Sequence, residues 1–299
     1  MGKTGYFLLR TITWVFQIFP LRVNYLFSDL FFFFSYVVVR YRRRVVAQNL
    51  GNSFPEKTQK EQNQIARRFY RHFCDTVIET FYFDRMSVKA GKKCVKFLNP
   101  ELINNYLGQG RQVIACMGHF NNWELFCNLP LYTDYRCYAV YKKLSSSAFE
   151  QFYFNLRSRF GAVPLERANT FRQLVSDHQK GIPSFSAFLF DQTPRVYELH
   201  HWVKFLNQET PIVLGTEKVA QKLDTVVVFL HSKKIKRGYY EAKFELVTDH
   251  AGACPKYEIT DKCTQLLEQQ IIENPEFWLW SHRRWKHKRE LVVGNEIAV

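Results

Sequence analysis

His119 and Glu124 are the pair in this chain whose types and spacing best suit acid–base chemistry. They stand in the stretch Gly118-His119-Phe120-Asn121-Asn122-Trp123-Glu124. A neutral imidazole beside a carboxylate is a general base with a fixed tautomer. The carboxylate also stabilises the imidazolium that forms. Residues 112–117 in front of the stretch are short, apolar and β-leaning, and read as a buried strand. Residues 124–129 behind it can open a helix with Asn121 or Asn122 as its cap. On one continuous helix, two residues five apart point roughly 140° away from each other. A strand-to-helix turn removes that obstacle, and open α/β sheets carry their sites at such turns. The expectation is that His119 acts as the base and Glu124 holds its ring. No serine or cysteine nucleophile is required if the acceptor brings its own hydroxyl.

Four further clusters follow expected strands. They are Tyr141-Lys142-Lys143, then Leu156-Arg157-Ser158-Arg159, then Asp191-Gln192-Thr193-Pro194-Arg195, and finally Trp280-Ser281-His282-Arg283-Arg284-Trp285-Lys286. Converging beside His119, their cations could bind phosphates or an acidic protein surface. Other chemistries lack their motifs. There is no G-x-S-x-G elbow. There is no P-loop, and Gly108-Gln109-Gly110 lacks the third glycine of a dinucleotide fingerprint. No basic helix or RNA-binding aromatic motif points to nucleic acid. No cofactor is expected. The seven cysteines form no C-x-x-C pair, and His200-His201 has no ligand at metal spacing nearby. Reduced core cysteines and no zinc site are the expectation.

The elements that must position these residues begin with an apolar segment. The chain has 299 residues, 28 of them Phe, and a net charge of +15, which favours an anionic partner. Residues 5–39 are its most apolar part. The seventeen residues 23–39, between Arg22 and Arg40, are at the lower limit for a membrane-spanning helix. Arg40, Arg42, Arg43 and Arg44 follow at once. Such a cluster keeps the following chain on the cytoplasmic side and attracts anionic headgroups. Residues 1–45 are therefore expected to be a membrane-anchoring helical segment, and residues 46–299 a separate α/β domain.

In that domain, Ser53-Phe54-Pro55-Glu56 reads as a capping box. The helix it opens carries Ile65, Phe69, Phe73, Val77 and Phe81 along one face. From residue 94 onward, short β-like runs (94–98, 112–117, 136–141, 184–190, 225–230, 240–247) alternate with helical ones. The helical runs are 100–107, 148–160, 170–180, 210–223 and 259–273. This alternation predicts an α/β fold, with a mixed central sheet flanked by helices on both faces.

Taken together, these motifs resemble the late acyltransferases of lipid A biosynthesis, of the lauroyl and myristoyl transferase type. The similarity includes Gly118 to Glu124 as a form of G-H-x-x-N-W-E, Tyr41-Arg42-Arg43, Asn49-Leu50 and Ser53-Phe54-Pro55. It also includes the Arg157-to-Gly161 segment, Asp191-Gln192, and the ending Trp278-Leu279-Trp280-Ser281-His282-Arg283-Arg284-Trp285-Lys286. Asn121 departs from the pattern where glycine is common, and Lys142 stands where some members have arginine. The resemblance implies transfer of a fatty acyl chain from an acyl carrier protein or coenzyme A to a hydroxyl of a phosphorylated lipid A precursor. It implies an enzyme on the cytoplasmic face of the inner membrane. It implies His119 and Glu124 as catalytic residues, and Asn122, Lys142, Arg157, Asp191, Gln192, Arg283 and Arg284 as substrate-binding residues. Two readings stay open beside it: acylation of another glycolipid or aminolipid, and a non-catalytic protein that binds anionic membrane.

Overall fold

The structure is a computed structural model and describes residues 2–289, so residue 1 and residues 290–299 of the expected domains lie outside the described residues. Two helices open the chain, α1 (Gly2–Ile18) and α2 (Leu21–Phe32). Pro20 separates them, because proline favours a helix start and cannot continue one. A π-helical stretch, Phe33–Val38, extends α2. Next come α3 (Arg43–Ser53) and the long α4 (Gln59–Phe83). The capping box of α4 is Thr58 with Glu61, and not Ser53 with Glu56, because Ser53 is still the last residue of α3.

The α/β body follows with α5 (Val88–Cys94), β1 (Val95–Phe97), α6 (Pro100–Gly108) and β2 (Val113–Met117). After a 3-10 helix, Trp123–Leu131, come β3 (Arg136–Tyr141), α7 (Ser147–Ser158), β4 (Val163–Glu166), α8 (Arg167–Gln179) and β5 (Ser184–Leu189). A small hairpin, β6 (Trp202–Phe205) and β7 (Gln208–Pro211), precedes α9 (Gly215–Leu223). The body closes with β8 (Val226–Lys236), β9 (Tyr239–Thr248) and α10 (Glu258–Glu273).

Seven strands form one sheet in the order β1-β9-β8-β2-β5-β3-β4. β8 and β9 pair antiparallel, while β8, β2, β5, β3 and β4 run parallel to one another. The sheet is therefore mixed, as expected. β2 lies in its middle, and all five of its residues are buried. Its alternate side chains enter two different cores. Ile114 and Cys116 pack with α9 and α10 residues such as Leu223 and Leu267. Val113, Ala115 and Met117 pack with Ile103, Leu125 and Phe126. Burial on both faces explains why the strand reads as a continuous apolar run.

α2 is amphipathic in the inverse sense. Asn24, Tyr25, Ser28 and, in the extension, Ser35 are buried. Leu26 is 68 % exposed, and Phe27, Leu30, Phe33, Phe34, Val37 and Val38 are exposed with it. The polar face is docked on α4. Tyr25 donates to Glu79 at 2.8 Å and Ser28 to Asp75 at 2.7 Å. α1 is tied to the same helix region by Arg10–Asp84 at 2.6 Å, and it lies along α7, with Leu9, Ala148 and Phe152 in one cluster. The first helices thus share a packed interface with the α/β body.

Candidate active site

β2 and β5 are parallel neighbours, and Met117 pairs with Leu189. Two residues beyond each partner stand His119 and Asp191. Asp191 Oδ1 lies 2.6 Å from His119 Nδ1. Its Oδ2 accepts the His119 backbone N–H at 2.8 Å and the Trp278 indole N–H at 2.7 Å. An ionised carboxylate only accepts hydrogen bonds, so Nδ1 carries the ring proton and Nε2 presents its lone pair. The Gln192 side-chain amide donates to that lone pair at 3.0 Å. Burial by itself would raise the Asp191 carboxyl. The electrostatic interaction with the His119 imidazole and the hydrogen bonds from His119 and Trp278 outweigh it and bring the group down to about 2.

The carboxylate that orients His119 is therefore Asp191, and the expectation that Glu124 holds the ring is corrected. The turn leads into a 3-10 helix whose first residues carry Glu124 toward α7. There Arg157 Nε and Nη2 grip both carboxylate oxygens, at 2.9 and 2.7 Å. The guanidinium also lies 4.9 Å from the Tyr141 ring and 5.2 Å from the Tyr153 ring. Burial opposes the Arg157 charge, but the Glu124 carboxylate more than offsets this and holds the guanidinium above its ordinary value.

The local backbone explains the motif's small and polar residues. A Cβ on Gly118 would stand 2.5 Å from a Leu267 methyl and 3.3 Å from Asp191 Oδ2, so any other residue just after β2 would force Leu267 to shift. Asn121 has φ 55°, a left-handed conformation that asparagine tolerates and most residues do not. Its amide donates to the backbone carbonyl and the hydroxyl of Ser232 in β8, both at 3.0 Å. The C-terminal segment backs the same turn. Phe120 bridges Trp278, Asn121 N–H donates to the Phe277 carbonyl at 2.9 Å, and Leu279 N–H donates to the His119 carbonyl at 3.2 Å. Thr193 N–H donates to His282 Nε2 at 3.2 Å, and the Thr193 hydroxyl donates to the Arg284 carbonyl at 2.8 Å. The Trp-rich ending thus fixes both the histidine turn and the loop that carries Asp191.

His119 and Glu124 both line a cavity of about 650 Å³ at the carboxyl ends of β2, β3 and β5. Phe97, Met117, Phe126, Leu129, Phe185 and Leu230 form one apolar wall. Lys142, Arg157, Gln192, Arg167 and Arg195 supply cations and an amide. Cys127 and Cys137 also line it, and burial pushes each thiol up to about 12, so neither is a thiolate nucleophile at neutral pH. Among the described residues, no group of three or more His, Cys, Asp or Glu side chains is placed to hold a metal.

Four expected substrate contacts reach the cavity or its edge: Lys142, Arg157 and Gln192 line it, and Asp191 lies behind His119. Three are placed elsewhere. Asn122 is sealed from solvent, with its amide on Glu79 at 3.0 Å. Arg284 is also sealed and donates to the Pro211 carbonyl at 2.7 Å; burial draws its guanidinium down to about 10. Arg283 is exposed and outside the cavity lining, and its carbonyl accepts from Thr193. Trp278 and Glu79 are the residues near the site that sequence reasoning passed over. The signal for Trp278 was its place in the Trp-rich ending; Glu79 looked like one polar residue on an amphipathic helix.

The family described as bacterial lipid A biosynthesis acyltransferase matches residues 2–287, nearly the whole chain. A search of the curated proteins finds no match.

Proposed function

The chain belongs to the bacterial lipid A biosynthesis acyltransferase family, and from that premise we propose that it moves a fatty acyl chain from the thioester of an acyl carrier protein or coenzyme A to a hydroxyl of a phosphorylated lipid A precursor. The observation that carries this reading is the Asp191–His119 pair, whose Nε2 faces a cavity with an apolar wall and a cationic rim.

The acceptor hydroxyl takes the place of the Gln192 amide at His119 Nε2. His119 accepts the hydroxyl proton as the oxygen attacks the thioester carbonyl. Asp191 holds the ring and offsets the imidazolium charge. The Gln192 amide, released from Nε2, is a donor for the oxyanion. Collapse of the tetrahedral intermediate expels the thiolate, and the imidazolium returns the proton to it. One C–O bond forms, one C–S bond breaks, and the enzyme regains its starting state. Glu124 keeps Arg157 fixed against Tyr141 and Tyr153 as a charged wall of the cavity. The apolar wall suits the acyl chain, and Lys142 and Arg195 suit phosphate.

The reading places the enzyme on the cytoplasmic face of the inner membrane, with α1 and α2 as its lipid contact. The inverse amphipathicity of α2 supports this. A contiguous apolar face of that size is unfavourable in water, whereas lipid welcomes it and leaves the polar side to protein. Leu21–Val38 is long and apolar enough to cross a membrane by length and composition. The arginines at 40 and 42–44 follow it directly.

The test is acyl transfer by the purified full-length protein in detergent, with acyl carrier protein and coenzyme A thioesters each offered beside a lipid A precursor. Mass spectrometry should show the precursor gaining one acyl chain from at least one donor. A precursor unchanged with both donors would overturn the proposal.

A further inference from the structure

Glu79 lies in the second half of α4, 2 % exposed. Three donors from three distant parts of the chain converge on its carboxylate. Tyr25 of α2 donates at 2.8 Å, Tyr240 of β9 at 2.7 Å and the Asn122 amide at 3.0 Å. Asn122 stands three residues after His119. Among the described residues, the only other hydrogen bond of its side-chain amide is a 3.4 Å contact with the Thr76 carbonyl, and its side-chain oxygen is buried without a partner. The Asn122 side chain is thus anchored almost wholly through Glu79, beside the separate anchors of His119 on Asp191 and of Asn121 on Ser232. A carboxylate so deep in the protein is stable only while its donors stay in place, so the three elements are held to one point.

We propose that Glu79 is a positioning residue for His119: through Asn122 it fixes the turn that carries the ring, and through Tyr25 it ties that turn to α2. The role rests on the acyl-transfer reading only for its catalytic consequence. The tether itself is separable from the docking of α2. One helical turn earlier, Asp75 takes Ser28 of α2 at 2.7 Å and Arg237 of the β8–β9 hairpin at 2.6 Å. Arg237 in turn reaches Asp29 of α2 at 2.7 Å. These links keep α2 docked when Glu79 is changed. The consequence is that α2 does more than contact lipid, because its docked face helps to set the geometry of the catalytic turn.

The experiment compares full-length wild type, Glu79→Gln, Tyr25→Phe and Ser28→Ala in detergent, by hydrogen–deuterium exchange and by acyl-transfer kinetics. Exchange reports the tether whether or not transfer occurs, so failure of the functional reading is distinguishable from failure of this one. Glu79→Gln and Tyr25→Phe should speed exchange in residues 118–125 while residues 21–38 keep wild-type protection, and Ser28→Ala should leave 118–125 unchanged. kcat should fall by about 10–100-fold in Glu79→Gln, as expected for a catalytic group displaced by about 1 Å, with an unchanged KM for the acyl donor. Adding Asn122→Ala to Glu79→Gln should cost little more, since the two form one contact. If Glu79→Gln does not fold, Tyr25→Phe decides by the same exchange reading. Wild-type exchange in 118–125 for the folded variants, or equal loosening in Ser28→Ala, would overturn the proposal.

Discussion

Asp191 grips His119 twice, with one oxygen 2.6 Å from ring Nδ1 and the other 2.8 Å from the backbone N–H. The second contact fixes where the residue sits, and the first fixes which ring nitrogen is basic. Asp191→Asn keeps the shape but removes the charge, and its amide would favour the wrong tautomer. We predict a fall in kcat of about 10²–10⁴-fold, comparable to loss of a positioned base, with little change in KM. Steady-state kinetics on the folded variant check this.

Arg157 and Glu124 should behave as a stability pair more than as parts of the proton transfer. Their side chains are 13 % and 10 % exposed. Removing one member of such a pair leaves a buried charge, at a cost of about 3–5 kcal/mol. Arg157→Ala should lower Tm sharply, and Arg157→Lys should recover only part of it, because lysine cannot make the two-pronged contact. Adding Glu124→Gln to Arg157→Ala should raise Tm again. A Tm for Arg157→Ala equal to wild type would show that the pair contributes nothing to stability.

Asn121 offers a backbone test. Its left-handed conformation costs an ordinary residue about 1–2 kcal/mol, and its amide makes two hydrogen bonds to Ser232. Asn121→Gly relieves the conformation and loses only the hydrogen bonds. Asn121→Ala loses both. Denaturant midpoints should therefore rank wild type above Asn121→Gly, and Asn121→Gly above Asn121→Ala.

Much of this architecture was legible in the chain, and the limits have physical causes. The strands around β2 showed themselves because burial on both faces leaves continuous apolar runs. Glu124 was misassigned as the ring's partner because sequence proximity stood in for spatial proximity. Asp191 becomes the partner only through the register of two parallel strands joined by about seventy residues of chain. The β6–β7 hairpin went unread, and the end of β7 falls at the start of an expected helix over 210–223, which in the structure begins only at Gly215. Its turn residues, Leu206 and Asn207, both have positive φ, and leucine is a poor signal for such a turn. Arg284 looked like a substrate cation because its neighbours are cationic; the fold turns it inward to the Pro211 carbonyl. The inverse face of α2 was invisible as well, since its apolar majority masks the four polar residues that dock it.

Two histidines set the acid side of stability. Burial, reinforced for His72 by Lys234, lowers His72 to about 3, and burial lowers His282 to about 4. An unfolded histidine titrates near 6.5. Between that value and the folded ones, the unfolded chain binds more protons, so stability rises with pH. The contribution is complete above about pH 6.5 and is lost as pH falls toward about 4. Melting curves from pH 7.5 to 4 should show a falling Tm, and His282→Gln should flatten that fall. A Tm independent of pH over this range would contradict the assignment.

The most direct measurement of the central claim is single-turnover acyl transfer by full-length His119→Ala, set against wild type at equal folded concentration. Nε2 of His119 is the one base the account places at the acceptor hydroxyl. The variant should therefore lose about 10²–10⁴-fold in rate. Its Tm should fall, because Asp191 loses its ring partner, so the comparison is made below the melting transition of both proteins. A folded His119→Ala that transfers acyl groups within about twofold of wild type would contradict the account, since a positioned base is worth far more than that.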